Sequence, residues 1–195
     1  MKKSLSNILT IAFIGVMAAI VFVITYLRFP LLGSKVHFAN AMCLLSGMFL
    51  GPVAGGLAAG LGSAIYDLVA GYDALGILIT FVTKAAMAVI AGLILRGFLK
   101  KGHVNYAHAL LASVAGALTY VVLYLTKSWI TLLFAGSDPL SAISTVIASK
   151  APATLLNAAA AIIAAPLLYL ALMPALRRSG IPVFGYESGA KKEEG

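Results

Sequence analysis

Hydrophobic residues in this chain gather in six long blocks instead of alternating with polar ones. The blocks run over residues 7–27, 38–50, 53–70, 75–95, 107–134 and 140–172, each bounded by charge, glycine or proline. A run of about 20 apolar residues predicts a membrane-spanning helix. The second block is short, about 20 Å at 1.5 Å per residue. It cannot cross alone without thinning the bilayer or burying itself against neighbours. Gly51-Pro52 parts it from the third, because proline has no N–H for the helix ladder and glycine relaxes the turn. The fifth and sixth blocks are long enough to tilt or project, and Pro152 and Pro166 predict kinks in the sixth. The expected architecture is all-α: an integral membrane bundle of six transmembrane helices. Residues 1–178 form one domain, and 179–195 form a polar tail without structure.

Composition strengthens this picture. Of 195 residues, 62% are hydrophobic and 10% charged, against roughly 45–50% and about 25% in soluble domains. An ordinary soluble domain, a disordered chain and a coiled coil are excluded. Six helices of about 20 residues leave no room for a soluble catalytic or nucleotide-binding domain. The N-terminus resembles a signal peptide, but its apolar run from Ile8 to Leu27 is too long. No cleavage site of the A-x-A kind follows at Arg28-Phe29-Pro30. It is expected to be the first spanning helix. Cys43, the only cysteine, sits in an apolar run and predicts a buried, inert thiol.

The net charge of +8 would point to nucleic acid in a soluble protein, but its placement points to topology. With the N-terminus inside, Lys2, Lys3, Arg96, Lys100, Lys101, Arg177, Arg178, Lys191 and Lys192 all fall on the inner side. Only Arg28 and Lys35 fall outside. Positive residues favour the cytoplasm, so both termini are expected to be cytoplasmic. Lys84, Lys127 and Lys150 remain within apolar blocks.

Small residues mark two helix faces. On the third helix, Gly56-xxx-Gly60 and Gly60-xxx-Ala64 permit close backbone approach and predict internal packing. On the first, Gly15-xxx-Ala19, with Ala12 and Ala18 beside it, fits either internal packing or a partner protein.

Polar residues concentrate in the outer half under this orientation. His37 and Asn40 open the second helix, Tyr66 and Asp67 close the third, and Thr80 and Lys84 lie one turn apart on the fourth. Tyr120, Tyr124 and Lys127 form an i, i+4, i+7 stripe on the fifth helix, as do Lys150, Thr154 and Asn157 on the sixth. An ionisable group in the membrane costs about 2.5–3.5 kcal/mol on insertion scales, so it faces a partner or a wet cavity. The competing reading has the lysines snorkelling, Asp67 pairing at the interface, His37 in a loop, and the tyrosines in the core. Convergence on one membrane half favours an outward cavity for a small polar heteroaromatic or carboxylated ligand. Three lysines against one aspartate favour an anionic or acceptor-rich one. The candidate binding residues are His37, Asn40, Asp67, Lys84, Tyr124, Lys127, Lys150 and Asn157.

Other chemistries find little support. The chain has no phosphate-binding loop of the G-x-x-x-x-G-K-[ST] kind. Its three histidines and one cysteine, without H-E-x-x-H, do not make a zinc site. Ser63 has no histidine at its depth to activate it. Paired intramembrane carboxylates and matched broken helices, the marks of ion-coupled transporters, are absent from the sequence.

The run from His37-Phe-Ala-Asn40 through Ser46-Gly-Met-Phe-Leu-Gly-Pro-Val-Ala-Gly-Gly-Leu-Ala-Ala-Gly-Leu-Gly-Ser-Ala-Ile-Tyr-Asp67 resembles substrate-binding S components of energy-coupling factor (ECF) transporters. It is most similar to the riboflavin-type group. Thr80 to Lys84 with Gly92, Tyr120 to Lys127, and Lys150-Ala-Pro-Ala-Thr-Leu-Leu-Asn157 extend the resemblance over about residues 5–178. It implies a six-helix bundle with both termini inside and an outward vitamin pocket closed by outer loops. It also implies a membrane coupling subunit and two cytoplasmic ATPases as partners, docked through small residues of helix one, here Ala12, Gly15 and Ala19. The expected function is a membrane binding subunit for uptake of a vitamin or related precursor, without catalytic residues, metal or cofactor. The rivals are a stand-alone facilitator or secondary transporter and, more distantly, an intramembrane enzyme.

Overall fold

The computed structural model describes residues 2–31, 34–100, 104–179 and 183. Its helices are α1 (Lys2–Tyr26), α2 (Ala39–Leu50), α3 (Pro52–Val69), α4 (Ala74–Leu99), α5 (Tyr106–Phe134), α6 (Pro139–Ser149) and α7 (Ala151–Arg178). Between α1 and α2 lies a small antiparallel hairpin of β1 (Phe29–Leu31) and β2 (Ser34–Val36), with Phe29 opposite Val36.

Punctuation in the sequence sets the helix ends. Gly51 takes φ 81°, the left-handed region that favours glycine, and turns the chain between α2 and α3. Asp73 accepts the Gly76 N–H at the start of α4. Asn105 and His108 form a reciprocal cap on α5, and Asp138 accepts from Leu140 and Ser141 at the start of α6. Each cap satisfies backbone donors that the first helical turn leaves open.

Five helices, α1, α3, α4, α5 and α7, are long and apolar enough to cross a membrane. The short α2 becomes the axis of the bundle. All its residues except Met42 are buried, and it touches every one of the five long helices. These follow one another around it in the order α1, α3, α4, α5, α7. A 12-residue helix, about 18 Å long, thus survives in the membrane by burial against its neighbours.

Glycine makes that burial possible. A Cβ on Gly47 of α2 would collide with the Ala88 carbonyl of α4, and one on Gly55 of α3 with the Ser46 carbonyl of α2. Gly56 and Gly60 of α3 face Val89 and Phe81 of α4, so this small-residue stripe serves internal packing. The stripe on α1 does not. Ala12, Gly15 and Ala19 are exposed, and nothing lies within 4 Å of a Cβ placed on Gly15.

The sixth expected helix is in fact two. The helix breaks at Lys150, and α6 packs across α5 and α7 as a separate piece. Pro152, at the start of α7, lacks an N–H and its ring would strike the Ala148 carbonyl of a continuous helix. At Pro166 and Pro174, by contrast, α7 runs on unbroken. Apart from Ser179 and Val183, the expected polar tail lies outside the described residues.

Candidate functional site

A cavity of about 500 Å³ opens at the hairpin end of the bundle, the end remote from the start of α1. Side chains from α1, α3, α4, α5, α6 and α7 line it, together with Arg28, His37 and Lys150 from the connections. Of the candidate residues, His37, Asp67, Lys84, Tyr124, Lys127, Lys150 and Asn157 all reach its wall. Asn40 does not. It is fully buried behind the wall, where its Oδ1 accepts a hydrogen bond from the Lys84 ammonium.

Lys84 is turned inward, not toward the membrane surface. It is 8% exposed, and its Nζ lies 4.0 Å from the centre of the Tyr120 ring. Tyr120 in turn stacks on Tyr124 at 5.6 Å. A desolvated cation–π contact contributes about 2 kcal/mol, and a charge-assisted hydrogen bond about 1.5–3 kcal/mol. Together they offset the roughly 3 kcal/mol cost of a membrane lysine. The ammonium therefore stays at the cavity wall.

Two hydrogen bonds at His37, just after the hairpin, help tie it to the bundle. The His37 N–H donates to Asn157 Oδ1 at 2.9 Å, joining positions 120 residues apart. His37 Nδ1 accepts the Ala39 N–H at 3.2 Å, standing in for the missing cap of α2. With Nδ1 an acceptor, the neutral ring carries its proton on Nε2.

Seven of the wall hydroxyls share a pattern. Thr25, Thr83, Ser128, Thr131, Thr145, Ser149 and Thr154 each donate to the carbonyl four residues earlier in their own helix. Their lone pairs remain, so they present acceptors to the cavity. The donors come from elsewhere: Arg28, Lys84, Lys127, Lys150 and the tyrosines. Asp73 and Asp138 are occupied as helix caps, which leaves Asp67 as the acidic side chain of the wall. Four cations facing one carboxylate make the cavity electropositive.

Several wall residues escaped the sequence reasoning. Tyr66, Thr80, Tyr120 and Thr154 were placed at the right depth but not among the candidates. Arg28, Thr25, Tyr72, Ser128 and Thr131 gave little signal, because polar residues near helix ends are ordinary.

The family described as ECF-type riboflavin transporter, S component, matches residues 5–174 of the chain. The chain belongs to this family. It is a membrane-embedded, multi-pass S component, in a family of transporter components and not an enzyme class. A stretch of 105 residues is also 33% identical to an uncharacterized protein of the gap 3'region of Pyrococcus woesei. That stretch covers 53% of this chain and 66% of the relative.

Proposed function

We propose that this S component captures a vitamin or related small precursor from outside the cell and hands it to partner subunits for ATP-driven uptake. The observation that carries this is the cavity. Seven of the eight candidate residues, drawn from separate stretches of sequence, meet on one electropositive, aromatic wall. Its size falls within the range of small-molecule sites, about 300–1,000 Å³. The binding groups are His37, Asp67, Lys84, Tyr124, Lys127, Lys150 and Asn157, with Asn40 holding Lys84 in place. No covalent step is involved.

The lysine and arginine bias places the hairpin end outside and both termini in the cytoplasm. In this arrangement the five long helices cross the membrane, and α2, buried among them, carries the chain back from the outer end to the inner one as a sixth, shorter crossing. The partners are a membrane coupling subunit and two cytoplasmic ATPases, and the exposed patch of Ala12, Gly15 and Ala19 is the docking face. Riboflavin, named in the family's description, is the first ligand to test.

Native mass spectrometry of gently purified protein is expected to show a retained small molecule. Titration with riboflavin then reports whether that compound occupies the same cavity. A bare chain that also leaves riboflavin fluorescence unchanged would overturn the proposal. Affinity purification from membranes separates it from a stand-alone facilitator, since an S component brings down a coupling subunit and ATPases.

A further inference from the structure

Among the described residues, two donors at the rim of the cavity have nothing to donate to. Arg28 follows the end of α1, and Nη1 of its guanidinium is buried without a hydrogen-bond partner. The hydroxyl of Tyr66, a side chain only 5% exposed, is in the same condition. Both residues line the cavity. Asp67 lines it too, yet satisfies neither donor.

Aromatic side chains pack around the pair. The Arg28 guanidinium carbon lies 5.2 Å from the centre of the Tyr66 ring. Tyr26 meets that ring edge-on at 5.7 Å and 83°, and Phe22 packs against it at 6.4 Å. Phe22 and Tyr26 are one turn apart on α1, so a single helix face fixes the ring. The guanidinium stays charged and its nitrogens lie in one plane, a shape that suits a carboxylate. A buried unsatisfied donor is costly to the fold, so an acceptor entering the cavity removes a penalty as well as gaining a bond.

We infer that Arg28 and Tyr66 form a subsite for a carboxylate carried by the ligand. One carboxylate oxygen accepts from Nη1 and the other from the phenol. The presence of Asp67 on the same wall favours this singly charged group over a doubly charged phosphate. The inference rests on the binding-subunit reading above and narrows it to ligands bearing an acid.

The test uses the purified full-length chain and matched pairs of acid and amide: nicotinate with nicotinamide, and biotin with its primary amide. Riboflavin is titrated in parallel. In at least one pair the acid is expected to bind ten times more tightly than the amide or better. Arg28→Met should abolish that preference, Arg28→Lys should restore part of it, and Tyr66→Phe should reduce it about 2- to 10-fold, as for a neutral hydrogen bond. Thermal melting checks that each variant is folded; should Arg28→Met fail to fold, Arg28→Lys and Tyr66→Phe decide. Equal affinity for acid and amide in both pairs, with neither bound counted as equal, overturns the subsite. So does a preference that survives Arg28→Met. Riboflavin bound alike by wild type and Arg28→Met, with no acid preference, sinks the subsite and leaves the binding-subunit reading standing. If riboflavin, both pairs and any co-purified molecule are all unbound, both readings fall.

Discussion

Two hollows of similar size lie among the described residues, one at each end of α2. The cavity at the hairpin end encloses about 500 Å³ and the groove at the other end about 550 Å³. The groove lies between α1 and α7, lined by residues such as Ala12, Phe13, Met17, Phe49 and Leu172, with Ser179 at its edge. Size does not distinguish them; lining does. The cavity offers hydrogen-bond donors, acceptors and cationic charge, so it can replace the water around a polar solute. The groove offers almost only dispersion contacts, which suit hydrocarbon or an apolar protein surface. On the proposed reading, the first hollow receives the small molecule and the second meets lipid or an apolar partner surface.

This division is testable by damaging one hollow at a time. The largest effect is expected at the groove side. Gly15→Trp or Ala19→Trp adds bulk to an exposed face beside the groove, distant from the cavity. Uptake by cells should be lost, while ligand binding to the isolated subunit stays near wild type. Loss of binding in the purified variant would show that the two hollows are not separable.

Next comes Lys84→Met. Removing a donor worth a charge-assisted hydrogen bond should weaken binding of the co-purified ligand by roughly 10- to 150-fold. Lys150→Met should cost less, because Lys150 sits at the half-exposed junction of α6 and α7. Calorimetry on both variants checks the order, and two wild-type dissociation constants would remove the lysines from the site.

The smallest effect is expected at Asn157→Ala. It removes the acceptor of the His37 N–H, a neutral hydrogen bond worth about 0.5–1.5 kcal/mol. Faster ligand release, by roughly 2- to 10-fold, is the expected result in a stopped-flow measurement. An unchanged off-rate would mean the hairpin does not help retain the ligand.

Much of this was legible before the fold was seen, for a physical reason. In a membrane chain a polar residue inside an apolar block is conspicuous, so Lys84, Lys127 and Asn157 announce themselves. The Gly51-Pro52 break was equally plain, since both residues disrupt a helix. The break at Lys150 was harder. A proline in an apolar run reads as a kink or as a boundary, and only the packing of α6 across α5 and α7 decides between them. The hairpin escaped notice because three-residue strands carry no usable periodicity. Asn40 shows a different limit. Its position marked it as polar and deep, but sequence does not show whether an amide faces a ligand or steadies the lysine that does. Arg28 lay outside the helical blocks and was counted only as a loop charge. Its stacking on Tyr66 depends on two chain segments nearly forty residues apart.

The glycine seam around α2 has a consequence for how such proteins diversify. Gly47, Gly55, Gly92 and Gly116 admit neighbouring backbone where a side chain would collide, so these positions have almost no freedom to change. None of them lines the ligand cavity. On the proposed reading, the residues that contact the ligand and the residues that hold the helices together are therefore different sets, and the first can drift while the second stands still. Selection can retune this scaffold for a new nutrient by altering a handful of wall side chains, without reopening the problem of how to fold it.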